Sequence, residues 1–333
     1  MGAEPFSKRF NVSLVIPVRD EEETVRDLWA TIATQSLQPC EVIFVDGGSA
    51  DGTVRLVRQW ENQDGRVRII EAGNATPGRG RNVGIAAAKY DWIALTDAGL
   101  ELEPDWLGKL VEVAERDSDI EIIYGSYEPI TNTTFEKFAA LAYPPPKQLR
   151  DGRLMRGPST ASMLLHRKVW ETAGGFPDLR AAEDLIFMRR VEEMRYKTGW
   201  APGAVVRWRL RPDLASTFRK FVLYSRHNVW AGMQRYWHHG VARQYLAWLI
   251  FIFPALIHSP WWLFVPVSGV MARVAKSIWV RRETRGILWA LNPVQFVGVA
   301  IIVLTIDLAT FIGWAQAIAR PQGQLARQEV KGK

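Results

Sequence analysis

The chain has 333 residues, 48% hydrophobic and 23% charged, with a net charge of +7; this length suits roughly two domains, and the composition excludes a disordered or collagen-like chain. A single cysteine, Cys40, excludes a disulfide scaffold and a cysteine-based zinc or iron–sulfur site. Residues 1–199 hold 25 Lys/Arg against 31 Asp/Glu, whereas residues 200–333 hold 17 against 4. The basic part flanks long apolar stretches, which points to a membrane surface and away from nucleic acid.

MGAEPFSKRF lacks the apolar core of a signal peptide, and Phe6 spoils a myristoylation pattern. The run VSLVIPV at 12–18 reads as a buried parallel strand. Asp20 to Glu23 then place four acids in the first turn of a helix reaching about Thr34. EVIFVD (41–46) is a second strand, followed by GGSADGT and a helix over 53–63. VRIIEA (67–72) is a third strand. GNATPGRGRNVG leads into a helix ending near Lys89, and WIALTDAG (92–99) is a fourth strand. This alternation requires a mostly parallel sheet with helices on both faces. Ligands in such sheets sit at the carboxyl ends of strands, which here carry Pro17, Asp46, Glu71 and Asp97.

Acids at these ends suit hydroxyls and base edges of a nucleotide, or a hard cation beside a diphosphate. Arg79 and Arg81 are available for phosphates. A dinucleotide fingerprint would follow the first strand, where PVRDEEE stands instead, and no Walker motif is present. Asp46 and Asp51 also fit plain turn chemistry, whereas Asp97 ends an otherwise apolar strand. His166 reads as a packed or surface residue, and the adjacent His238 and His239 make a poor metal pair. The sequons at Asn11, Asn74 and Asn132 carry little weight in a domain expected to face the cytoplasm.

Residues 217–243 mix aromatic and basic side chains, as interfacial helices do. Residues 244–272 contain no charge, and residues 287–318 contain only Asp307. Both exceed the ~20 residues a membrane crossing needs, and Trp261, Trp262, Trp289 and Trp314 are candidate interface anchors. Basic clusters precede the first stretch and separate the two, favouring the cytoplasmic side for both. With Pro254, Pro260 and Pro266 interrupting it, the first stretch is expected to kink or to return as a re-entrant hairpin.

Together, VSLVIPVRDEEETV, FVDGGSADGT, PGRGRNVGIAAAKYDWIALTDAG, AGGFPDLRAAED and RWRLRPDLASTFRKFVLYSR resemble the family 2 glycosyltransferases with a GT-A fold, over about residues 11–230. The likeness is to the membrane-attached branch that builds polysaccharides and glycolipids. It implies a GT-A nucleotide-sugar-binding domain over 1–205, basic and aromatic interfacial helices over 206–243, an α-helical membrane region over 244–318 and a basic tail over 319–333. By the same likeness Pro17, Glu21 and Asp46 match the pocket for base and ribose, and Arg81 and Asn82 a pair near the diphosphate-sugar. Asp97 matches the first acid of an Asp-x-Asp motif for Mg²⁺ or Mn²⁺. Asp184 matches the general base, with Glu183 as second choice. Arg207, Arg211, Arg219 and Arg226 fall in a region near the active-site mouth, where arginines steady phosphates or the acceptor.

The metal motif departs from the family pattern, reading Asp97-Ala98-Gly99; Glu101 is a conceivable substitute for the second acid. The implied reaction is inverting transfer from a nucleotide-diphospho-sugar to a hydroxyl of a lipid-linked acceptor. It would take place at the cytoplasmic face of the cell (inner) membrane, in contact with membrane lipids and without nucleic acid. Two alternatives stay open at this level: transfer to a polyprenyl phosphate, and a catalytically inactive nucleotide-sugar-binding subunit. The sequence sets no oligomeric state.

Overall fold

The computed structural model describes residues 10–150, 152–235 and 237–320. The chain divides into two compact units. One runs up to Ile130 and resumes over Lys147–Arg209; the other takes Thr131–Pro146 and the chain from Leu210 onward. Beyond Arg320 the expected basic tail lies outside the described residues.

The first unit opens with β1 (Val12–Val18), α1 (Val25–Ala33), β2 (Glu41–Asp46), α2 (Thr53–Gln63), β3 (Val67–Glu71), α3 (Pro77–Ala87) and β4 (Trp92–Leu95). It continues through β5 (Leu100–Leu102), α4 (Trp106–Arg116) and β6 (Ile122–Ile130). After the excursion of α5 (Thr134–Ala142) into the other unit come the hairpin strands β7 (Gln148–Arg150) and β8 (Arg153–Met155). The unit closes with β9 (Met163–His166), α6 (Arg167–Thr172), α7 (Glu183–Glu193) and β10 (Thr198–Arg209). Eight strands form one sheet in the order β3-β2-β1-β4-β9-β6-β10-β5. The first four are parallel, as their apolar runs require; β9 pairs antiparallel with both β4 and β6, and β5 antiparallel with β10. The sheet is therefore mixed, and β10 crosses the boundary expected at residue 205 because it pairs with β6 through Arg209.

Alternation along the strands divides the core. Leu14, Ile16 and Phe44 pack on one face with Leu28 and Trp106, while Val15, Ile43 and Val45 pack on the other with Ile85 and Phe187. The fourth strand ends at Leu95, short of the expected residue 99. Thr96 Oγ1 donates to Ala161 O at 3.0 Å, and Gly99 takes φ +77°, turning the chain toward β5. Asp97 is thereby released from the sheet at the carboxyl end of β4.

The second unit is helical, with α5, α8 (Leu214–Trp230), α9 (His238–Leu249), α10 (Ile252–Ile257), a 3₁₀ turn (Pro260–Leu263), α11 (Phe264–Val280), α12 (Ile287–Ala290) and α13 (Pro293–Ala319). Among the described residues, three segments are long and apolar enough to cross a membrane: His238–Ile257, Pro260–Val280 and Pro293–Ala319. The uncharged stretch 244–272 is thus divided between two of these segments, because Pro260 starts a new one and Ser259 caps it. The second arm folds back on the first: a Cβ on Gly269 would lie 2.4 Å from Trp248 Nε1. One cluster ties all three segments together. Asp307, the single acid of α13, is buried; it accepts from both terminal nitrogens of Arg273 on α11 and from Tyr245 Oη on α9.

The basic, aromatic helix α8 packs along α13 instead of lying free. A Cβ on Gly313 would meet Val222 O at 2.5 Å, Ser225 Oγ donates to Thr310 O, and Trp230 Nε1 donates to Ala317 O. His238 is buried against Ser225, and His166 caps α6, so both are structural.

Candidate active site

The chain departs from β1 in one direction to β2 and β3, and in the other to β4. The crevice outside the carboxyl ends of β1 and β4 is therefore the switch point where ligands bind in such sheets. Pro17 lies near the end of β1 and packs on α3, where a Cβ on Gly80 would sit 3.2 Å from its Cβ. The glycine string is a packing device: a Cβ on Gly84 would lie 2.3 Å from Val15 Cγ1, and one on Gly78 would lie 2.2 Å from Pro177 O. These close approaches bring the start of α3 against the start of α7.

Arg81 stands one turn into α3 and is 3% exposed. Its Nη1 donates to Glu183 Oε1 at 2.7 Å, and its Nη2 donates to Asp97 Oδ1 at 2.5 Å. Its guanidinium lies 5.5 Å from the Phe176 ring centre, and Phe176 stacks on Phe187 at 4.1 Å. Arg81 Nε is buried without a partner. Burial opposes the guanidinium charge, but Asp97, Glu183 and Asp184 outweigh it and hold Arg81 protonated well above the usual range. Arg81 is thus the hub of the acids, with both terminal nitrogens committed inside the chain.

Glu183 and Asp184 are set by a strained entry to α7. Ala182 takes φ 70°, ψ 0°, a left-handed conformation that costs a non-glycine residue about 1–3 kcal/mol. Glu183 is buried and bound to Arg81. Asp184 is half-buried; Oδ1 accepts from Leu185 N at 2.8 Å, and among the described residues Oδ2 has no hydrogen-bond partner. Burial pushes both carboxyls above the ordinary range, more than Arg81 pulls them down. The pair is divided in its commitments: Glu183 anchors the arginine, and Asp184 makes no bond to it.

The remaining expected residues have mixed placements. Asn82 is committed to the loop before α7: Nδ2 donates to Phe176 O, and Oδ1 accepts from Trp170 Nε1 and Phe176 N. Asp46 is buried and accepts from Gly48 N, Ser49 N and Ser49 Oγ, so it builds the turn after β2. That turn is laced to the loop after β1, with Glu21 N donating to Thr53 Oγ1 and Ala50 N to Asp20 Oδ1. Arg207 lies on β10 bound to Glu103, while Arg211, Arg219 and Arg226 belong to the other unit.

The donor set for a divalent cation is small. Glu101 is bound to Arg209 and does not replace the missing acid. Glu21 comes nearer: its Oε2 would lie 3.7 Å from a Cβ on Gly99. Among the described residues no three His, Cys, Asp or Glu side chains gather to hold a metal. Sequence reasoning missed Phe176, Trp170 and Ala182; their roles depend on packing that no local motif announces.

The sheet thus reverses beside its first strand, and acids that follow β4 and open α7 meet at the reversal around Arg81. Residues 13–172, just under half of the chain, match the family model described as Glycosyl transferase family 2, and this match supports a glycosyltransferase. EpsH of Bacillus subtilis (strain 168), which bears a glycosyltransferase name, is 29% identical over 133 residues, 40% of this chain and 39% of that protein. The succinoglycan biosynthesis protein ExoO of Rhizobium meliloti (strain 1021) is 36% identical over 117 residues, 34% of this chain and 33% of that protein. The matches thus span well under half of these relatives. The mannosyltransferase PcManGT of Pyrobaculum calidifontis, solved with GDP-Man and Mn²⁺, shares the fold at a TM-score of 0.55 and 18% identity. The likeness covers 93% of this chain and 88% of that one.

Proposed function

We propose that this protein transfers a sugar from a nucleotide-diphospho-sugar to a hydroxyl of a lipid-linked acceptor, with inversion at the anomeric carbon. One observation carries the reading: Asp97 and Glu183 converge on the buried Arg81, with Asp184 beside them and one of its oxygens unpartnered. In the reaction the acceptor oxygen bonds to the anomeric carbon while the bond from that carbon to the diphosphate oxygen breaks. The nucleoside diphosphate leaves with the bonding electrons, and Asp184 Oδ2 takes the hydroxyl proton. Burial raises the basicity of Asp184, which suits this task. Arg81 acts on the acids, holding Asp97 toward the crevice and Glu183 against α3. Asp97 is the side chain that would hold Mg²⁺ or Mn²⁺, and such an ion, when bound with the donor, would neutralise the diphosphate. The name of ExoO supports a role in polysaccharide synthesis, and the three apolar segments support a membrane setting, where a lipid-linked acceptor would be at hand. The basic residues between the apolar segments, from Arg273 to Arg285, support a catalytic unit on the cytoplasmic side of the cell membrane.

A panel of labelled UDP- and GDP-sugars, incubated with the full chain, membrane lipid extract and either Mn²⁺ or EDTA, tests the reading. Label in the lipid phase, lost in Asp184→Asn, is the expected result. Donor binding without turnover under every condition would favour a non-catalytic binding subunit.

A further inference from the structure

The first unit buries its large apolar side chains with one grouped exception. Among its described large hydrophobic residues only Leu149, Leu154 and Met194 stand exposed. Leu149 and Leu154 are 70% and 55% exposed and lie directly opposite each other in the β7–β8 hairpin, so their side chains share one face. The other face rests on the unit: Met155 is buried, and the Arg150 guanidinium lies 3.9 Å from the Trp200 ring centre. Both feet of the hairpin are fixed at one place. Lys147 Nζ and Arg156 Nη2 bind the two carboxylate oxygens of Glu128, at 2.9 and 3.3 Å. Glu128 lies near the carboxyl end of β6. Because β9 is antiparallel to both β4 and β6, those two run parallel and their carboxyl ends share an edge. The hairpin is thus anchored at the edge of the sheet that carries Asp97.

Charge and chain order name what would cover the leucines. Residues 147–156 hold Lys147, Arg150, Arg153 and Arg156 against a single acid, Asp151. With Lys147 and Arg156 bound to Glu128, Arg153 is left exposed beside Leu154, and it pairs with no carboxylate among the described residues. An apolar pair beside a cation suits the interface of a bilayer that bears anionic lipids. The chain comes to the hairpin from such a level. Just before it, within the second unit, Leu141 O accepts from Ser277 Oγ and Pro144 O from Arg281 Nε, each at 2.7 Å. These donors stand at the end of α11, followed by Arg282 and Arg285, whose guanidinium groups lie over Trp279 and Trp289. Tryptophan mixed with basic residues is the composition of a membrane–water interface. Leu149 comes five residues after Pro144, and five residues of extended chain span at most about 18 Å. A second copy of the chain is the poorer occupant, since two leucines fall far short of the ~20–30 residues a side of a stable interface.

We propose that the β7–β8 hairpin is a membrane wedge. Leu149 and Leu154 enter the surface layer of an anionic bilayer, Arg153 stands among its headgroups, and the crevice edge of the sheet is held on the lipid. The inference rests on the membrane setting proposed above and not on the transfer chemistry, so the two fail separately. The test uses the full chain with Cys40→Ser, in nanodiscs of phosphatidylglycerol and phosphatidylcholine. A polarity-sensitive fluorophore is placed on Leu154→Cys, Met194→Cys or Leu304→Cys. Met194 marks the same unit at the end of α7 away from Glu183, and Leu304 an exposed point of α13. Nitroxides along the lipid acyl chains should quench the Leu154→Cys and Leu304→Cys labels by about half or more, since interfacial apolar groups lie about 5–10 Å into the headgroup boundary. The Met194→Cys label should stay bright. Leu149→Asp should remove most of the quenching at Leu154→Cys, and Arg153→Glu should reduce it more with phosphatidylglycerol present than in phosphatidylcholine alone. Quenching at Leu304→Cys without quenching at Leu154→Cys would overturn the wedge and leave the membrane setting standing, and quenching at neither would overturn both. Equal quenching at Met194→Cys, or a blue-shifted Leu154→Cys label that lipid does not quench, as a protein partner would give, would also overturn the proposal.

Discussion

Replacing Arg81 by Met removes the cation at the centre of the acid cluster and keeps most of the side-chain volume. Asp97 is partly exposed and can rehydrate, but Glu183 is 5% exposed and would stay buried without its partner. Removing one member of a buried pair costs about 3–5 kcal/mol, mainly through the stranded charge. For a domain of this size, 1 kcal/mol corresponds to roughly 2–4 °C, so the melting transition of the first unit should fall by about 6–20 °C. The loss should depend on pH in a defined sense. Without Arg81 the folded-state pKa of Glu183 rises further above its unfolded value. Its contribution is fully present below the unfolded value and is lost as pH rises through the folded one. The variant should therefore be weaker at pH 8 than at pH 5. Adding Glu183→Gln should return about half the loss or more at pH 8. Scanning calorimetry of the full chain in detergent, on both single variants and the double, measures this. A loss equal at both pH values and unchanged by Glu183→Gln would refute the claim that Arg81 exists to neutralise Glu183.

Three further substitutions test the same geometry. Asp184→Asn should lower turnover about 10²–10⁴-fold while donor affinity holds. Because burial raises the Asp184 pKa in the folded state, the same variant should melt no lower than the parent at pH 8; a fall of several degrees there would make Asp184 structural. Gly78→Ala drives a Cβ into Pro177 O and should cost about 1–3 kcal/mol by chemical denaturation, with turnover falling as the start of α7 shifts; an unchanged midpoint would remove the close-approach argument. Asp307→Leu strands Arg273 among the apolar helices and should lower the melting temperature of the second unit, while adding Arg273→Met should recover most of it; no recovery would mean the two do not act as a pair.

The repeating apolar runs from Val12 to Leu95 set the strands and helices of the first unit, because a buried parallel strand needs side chains that suit both faces. The uncharged stretches after residue 243 likewise set the apolar helices. Asp97 stands out from its place at the end of an apolar strand, whereas Glu183 and Asp184 are expected only through the family resemblance; the structure gathers the three around Arg81. Their division of labour is not legible in the chain, since a sequence does not say which carboxylate is covered: α7 turns Glu183 inward to Arg81 and leaves Asp184 an unpartnered oxygen. Asn82 and Asp46 illustrate the same limit. Each carries the right groups for a ligand; tertiary contacts direct those of Asn82 to Phe176 and Trp170, and the local turn after β2 takes those of Asp46. The pairing of Asp307 with Arg273 and Tyr245 spans three helices, and only packing brings partners so distant in sequence within reach. Local pattern fixes which way a residue faces along its own element; what it meets there is decided by elements far away in the chain.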